Sequence, residues 1–91
     1  MKKKELAYKN LLLGVEFDKY LVEHPEIIDR IPNRSTMVFL PEYDDELYEA
    51  NLKLAKKSVA RGEKVVLVRI KKLAPSKSRI IRPRIEYGMP A

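Results

Sequence analysis

The sequence predicts a small α/β domain made of a long N-terminal helix, a right-handed β-α-β unit with parallel strands, and a C-terminal extended arm or edge strand. Three observations predict it. Apolar residues recur at helical spacing over the first two dozen positions; two short apolar runs are separated by a capped amphipathic stretch; and the last residues carry prolines among isoleucines and cations. At 91 residues there is room for one domain, 1–91, in two layers, with 79–91 as an arm that is mobile or packed on a partner.

The first element runs from about Lys3 to Glu23. Leu6, Leu13, Phe17, Tyr20 and Leu21 follow three- and four-residue steps, and Leu11, Leu12, Val15 and Val22 widen the stripe. Such a helix would be about 30 Å long, the diameter of a small domain, so it either projects or is covered. The width of its apolar face favours cover. His24-Pro25 ends it, because the residue before proline is driven out of the helical region. Pro25 to Asp29 then reads as one short turn with proline in its first position.

Pro32-Asn33-Arg34-Ser35 breaks the chain, and Thr36 to Leu40 is a short run suited to a strand buried on both faces, stopped by Pro41. Asp44 is a good N-cap for a second helix reaching about Arg61 and closed by Gly62, and Asp45, Glu46 and Glu49 sit where the helix dipole favours negative charge. Tyr48, Leu52, Ala55 and Val59 form its expected inward stripe, widened by Leu47 and Leu54. The second strand, Lys64 to about Leu73, is apolar on both faces at first. Arg69 and Lys71 then emerge on the side of Val65 and Leu67, so that face should become wet. Beyond Ala74-Pro75-Ser76-Lys77-Ser78, the stretch Arg79 to Tyr87 carries Ile80, Ile81 and Ile85, but Pro83 bars it from a central strand.

A crossover of about twenty residues forces the strands parallel, and such crossovers are right-handed. Two parallel strands cannot bury themselves, so the sheet must be completed by the first helix, the arm, or a second copy. That need makes a homodimer the expected state. Leu6, Leu13, Phe17, Tyr20, Ile80 and Ile81 are the interface residues it implies.

The order of residues resembles a family of small uncharacterised prokaryotic proteins, a domain of unknown function. The run Val15-Glu16-Phe17-Asp18-Lys19-Tyr20-Leu21-Val22-Glu23-His24-Pro25-Glu26 carries the likeness, with Ile31-Pro32, Val38-Phe39-Leu40-Pro41-Glu42, Asn51-Leu52-Lys53-Leu54-Ala55 and Leu73-Ala74-Pro75-Ser76-Lys77-Ser78-Arg79. Asp45 departs from it, standing where such proteins often have proline. The resemblance implies the order of elements and brings no activity or catalytic residue.

Net charge is +6, unevenly spread. Residues 1–52 carry seven Lys/Arg against eleven Asp/Glu, net −4, whereas residues 53–91 carry twelve against two, net +10. Arg69, Lys71, Lys72, Lys77, Arg79, Arg82 and Arg84 follow one another without an acidic residue. They are either an electrostatic footprint for a nucleic-acid backbone or a solvated edge that pairs with Asp18, Glu23 or Glu26 of this chain or a second copy. Only Tyr87 offers a stacking platform nearby, so the pairing reading takes precedence.

No catalytic constellation, cofactor or metal site is expected. Glu42, Asp44, Asp45 and Glu46 lie at the carboxyl end of the first strand, where open α/β sheets bind ligands, but helix capping accounts for them without a cation. The turn has none of the glycines or the Lys-Ser/Thr of a phosphate-cradling loop. His24 is the sole histidine and is expected to serve the helix end. With no cysteine, disulfides and thiolate metal sites are excluded.

Met1-Lys2-Lys3-Lys4 resembles the start of a signal peptide, yet Lys9, Glu16, Asp18 and Lys19 interrupt any apolar segment after it. A cytoplasmic location without membrane contact is expected, and the Lys, Arg and Glu content is compatible with a thermophilic source. The first function expected is a non-enzymatic self-associating module that also presents a surface to another protein. Its alternative is a nucleic-acid-binding accessory protein, with an enzyme or ligand sensor using a pocket between Pro41-Glu42 and Arg69 ranked last.

Overall fold

The structure, a computed structural model, describes residues 2–88. Met1 and residues 89–91, the end of the expected arm, lie outside the described residues. Five elements follow one another: α1 (Lys3–Glu23), a 3₁₀ turn η1 (Pro25–Arg30), β1 (Thr36–Pro41), α2 (Asp45–Ala60) and β2 (Val65–Ile70). The strands pair in parallel, Thr36 opposite Val65 and Pro41 opposite Ile70, with α2 as the crossover. The fold class expected from the sequence is the one observed.

Each boundary has a local cause. α1 stops at His24, whose N–H still reaches the Tyr20 carbonyl at 2.8 Å while Pro25 opens η1. The His24 ring lies 4.2 Å from the Tyr20 ring, so the histidine finishes the helix by stacking as well as by its backbone. The Asp44 carboxylate accepts from the Leu47 N–H at 3.2 Å and starts α2. At the other end Gly62 takes φ +82°, with its N–H on the Val59 carbonyl and the Glu63 N–H on the Ser58 carbonyl. This paired 5→2 and 6→1 closure needs a left-handed residue, which glycine supplies without strain.

Two details differ from expectation. Pro41 does not stop β1 but belongs to it. The Thr36 N–H donates to the Lys64 carbonyl and the Glu42 N–H to the Ile70 carbonyl, so even-numbered residues of the two strands turn their backbone groups toward each other. Pro41, one step out of phase, points its N–H-less nitrogen at the outer edge, where no ladder bond is lost. The second strand also ends at Ile70 rather than near Leu73, and residues 71–88 form no further strand.

Val38, Leu40 and Ala55 form the core cluster between the sheet and α2, with Tyr48, Leu52 and Val65 packed against it. Of the stripe expected on α2, Leu47 and Ala55 are buried and Tyr48 and Leu52 pack on the core, whereas Val59 and Leu54 are exposed and the polar Asn51 and Ser58 are buried. On the opposite face Phe17 of α1 meets Phe39 of β1 edge to face, their centroids 5.7 Å apart. The register places Met37 and Phe39 on that face with Val66, Val68 and Ile70.

Leu40 has no exposed surface and sits at the centre of the cluster. Leu40→Ala should therefore cost about 2–5 kcal/mol, read as a lower urea midpoint with an unchanged slope.

Candidate interaction surface

Backbone pairing sets the surface. In a two-stranded sheet each strand has one outer edge with unpaired N–H and C=O groups, and the two edges here are treated differently. At the β1 edge the Asn51 side-chain amide donates to the Phe39 carbonyl at 2.8 Å. Asn51 also exchanges a reciprocal amide pair with Asn10 of α1, at 2.8 and 3.1 Å. One buried side chain thus ties β1, α2 and α1 together. Beside Asn10, the Lys9 ammonium meets the Asp44 carboxylate at 2.8 Å. That contact holds the Asp44 carboxyl below the usual carboxylate range, aided by the Leu47 N–H, and raises the Lys9 ammonium. The nearby Tyr43 phenol is pushed up, first by its partial withdrawal from water.

The β2 edge is left open. The same alternation that pairs even-numbered residues turns the backbone groups of Val65, Leu67 and Arg69 outward, and among the described residues no strand lies against them. Beside this edge α1 and η1 stand away from the sheet. The space between is a groove of about 630 Å³ whose apolar walls are Phe17, Tyr20, Ile27, Val66, Val68 and Ile70. Its charged lining residues are Glu16, Arg30, Arg69 and Lys72, and Leu73 lies at its C-terminal end in sequence.

The expected interface residues separate on this frame. Leu13 is buried within the chain; Leu6 and Phe17 are half-buried; and Tyr20, Ile80 and Ile81 are exposed. Tyr8, Leu11, Leu12, Val15 and Val22 of α1 are exposed as well, so the wide apolar helix face is largely uncovered in one chain.

The basic residues separate too. The Arg69 guanidinium donates to the Tyr48 hydroxyl at 2.8 Å on the α2 side of the sheet. It does not meet the acidic turn, whose Asp44 is occupied by the cap and by Lys9. Lys71, Lys72, Lys77, Arg79, Arg82 and Arg84 are exposed in the stretch that follows β2. Among the described residues their one ion pair is Arg84 with neighbouring Glu86 at 3.8 Å, so the expected pairing with Asp18, Glu23 or Glu26 does not form within the chain.

A family defined by its sequence pattern, described as a family of unknown function (DUF5647), matches residues 5–83. The chain belongs to DUF5647. The match runs from Glu5 in the first turn of α1 through the other four elements to Pro83, so groove, Asn10–Asn51 pair and β2 edge lie within the DUF5647 region. No curated protein and no solved structure matches the chain. Among the described residues of this DUF5647 protein, no three His, Asp or Glu side chains converge as a cation would need, and no helix is long and apolar enough to cross a membrane.

The Asn10–Asn51 pair and the Lys9–Asp44 contact were not singled out from the sequence. The available signal was an asparagine at an inward position of each helix, in the series 6, 10, 13, 17 of α1 and 47, 51, 55, 58 of α2.

Two measurements check this geometry. Asn51→Leu removes the amide that serves Phe39 and strands the Asn10 side chain, and should lower stability by about 1–3 kcal/mol in denaturant titration. Asp44→Ala should cost about 1 kcal/mol at neutral pH. Because the folded Asp44 carboxyl titrates below its unfolded value, its contribution is complete above about pH 4 and fades as pH falls through the lower folded value. The stability difference between wild type and Asp44→Ala should therefore hold steady from neutrality to about pH 5 and shrink only below about pH 4.

Proposed function

We propose that this protein is a non-enzymatic, self-associating interaction module, in its simplest form a homodimer that presents a surface to another protein. The observation that carries the reading is uncovered surface. A compact monomer of 10.6 kDa exposes about 5,500 Å². This chain exposes 8417 Å². Its radius of gyration is 18.4 Å, against about 12 Å for a compact chain of 91 residues. The excess exceeds the total area, about 1,600 Å², that a standard specific interface removes from water. It also includes groups that gain from cover: the open β2 edge, the apolar groove, the α1 face and the arm isoleucines.

A second reading rests on the arm's unbroken basic run, which would bind nucleic-acid backbones without sequence preference. It gives a cytoplasmic accessory protein rather than an interface with itself. Fluorescence anisotropy with generic duplex DNA separates the two. Backbone binding must weaken steeply with added salt and weaken further in Arg79→Ala/Arg82→Ala/Arg84→Ala, whereas no binding at low salt removes this reading.

Self-association itself is read by light scattering. A mass twice the 10.6 kDa chain mass is expected at micromolar concentration, and a monomer mass held from micromolar to millimolar concentration would overturn the first reading.

A further inference from the structure

We infer that the C-terminal arm of one copy, residues 74–88, seats Ile80, Ile81 and Ile85 in the groove between α1, η1 and β2 of a second copy, and that the exchange is reciprocal. This rests on the self-association proposed above and names the parts that carry it.

Apolar chemistry matches first. Ile80, Ile81, Ile85 and Tyr87 are 71%, 85%, 77% and 96% exposed, the profile of side chains with nothing against them. The groove has the opposite deficit: about 630 Å³ of open space lined by Phe17, Tyr20, Ile27, Val66, Val68 and Ile70. That volume falls within the roughly 300–1,000 Å³ of cavities that enclose a ligand the size of a few side chains.

Charge complements it. Along α1 and η1, residues 16–30 carry Glu16, Asp18, Glu23, Glu26 and Asp29 against Lys19 and Arg30; Glu16 and Arg30 of these line the groove, whose β2 side adds Arg69 and Lys72. The stretch 71–88 carries Lys71, Lys72, Lys77, Arg79, Arg82 and Arg84 against Glu86 alone. An arm laid beside α1 and η1 would place its cations among carboxylates it does not reach within its own chain.

Backbone chemistry agrees as well. The outward N–H and C=O groups of Val65, Leu67 and Arg69 border the groove, and an extended segment is the form of chain that such an edge accepts. Pro75 and Pro83 keep much of the arm out of helix.

The second copy, rather than the arm's own chain, follows from where the arm departs. Leu73 lines the groove, whereas residues 74–88 are all exposed and none of them lines it, in a molecule 65 Å long. A two-fold pair converts this unsatisfied departure into two identical arm-in-groove contacts.

The chain has no cysteine, so introduced thiols report the contact directly. Ser78→Cys leaves the isoleucines intact, and Tyr20→Cys marks the groove. The full-length variants, one of them isotopically heavy, are mixed, oxidised mildly and weighed without reductant. The mixed Ser78–Tyr20 dimer is expected at least about tenfold above the yield with a Lys56→Cys partner, whose thiol lies on the exposed side of α2, because seating raises the local concentration above micromolar. A second variant, Ile80→Asp/Ile81→Asp, alters only exposed positions. It should raise the dimer Kd at least about tenfold while leaving the urea unfolding of the monomer unchanged.

A dimer by light scattering whose cross-link does not exceed the Lys56 control, or whose Kd is unmoved by the aspartates, overturns the arm exchange and leaves self-association standing. A disulfide within one chain of the double variant Ser78→Cys/Tyr20→Cys, at monomer mass, overturns it in favour of closure by the chain's own arm. A monomer with neither cross-link overturns both readings.

Discussion

Two parallel strands joined by one helix leave two outer edges, and how each edge is satisfied governs the rest of this molecule. Parallel pairing consumes the backbone groups of alternate residues only, so the others must find side chains, water or another chain. At the β1 edge the solution is internal. Asn51, on the inward face of α2, serves the Phe39 carbonyl and holds Asn10, which fixes α1 to the sheet at the level where Phe17 meets Phe39. Pro41 fits the same edge because it has no donor to lose there. The β2 edge has no such device, and the groove opens beside it.

The position of α1 follows from this asymmetry. It is tied near its N-terminal half by Lys9 to Asp44 and by Asn10 to Asn51, and Leu13 is its one buried residue. Beyond Phe17 the helix and η1 stand off the β2 side of the sheet, because nothing on β2 plays the part that Asn51 plays on β1. The space left between α1, η1 and β2 is the groove. Its walls are apolar because α1 and the sheet face were both composed for burial.

Most of the fold was legible in the sequence because its signals are local. Proline after His24, a carboxylate at Asp44, a glycine at position 62 and two apolar runs of strand length each act through the backbone within a few residues. What was not legible depends on partners distant in the chain. Periodicity assigns apolar residues to the core, so it finds Leu47, Tyr48, Leu52 and Ala55 of α2 but passes over the buried Asn51 and Ser58 and includes the exposed Val59 and Leu54. A buried asparagine is stable inside only when its amide is fully bonded, and its partners here are 41 and 12 residues away in sequence. The sequence alone marks Pro41 as a strand terminator for the same reason. Whether a proline ends a strand depends on which edge its nitrogen faces, and that phase is set by the partner strand.

Among the described residues, none of the ion pairs formed by Asp44, Glu16, Glu26, Glu63 or Glu86 joins the acidic first half to the basic second half. Asp44 takes Lys9 from its own half, Arg69 takes a neutral tyrosine, and Arg84 takes its neighbour Glu86. A charge separation of this size can be met by a polyanion or by the acidic half of another copy, and the arm's apolar content distinguishes them. Phosphate backbones reward cations and stacking aromatics, and they have little use for isoleucine. Yet Ile80, Ile81 and Ile85 stand among the arm's cations at high exposure, a cost in water that only an apolar surface can recover. A surface that is apolar in the middle and carries carboxylates along one side meets both demands; in this fold the apolar groove supplies the first and the acid-rich stretch 16–30 of α1 and η1 the second, with Arg30, Arg69 and Lys72 as the cations of the lining.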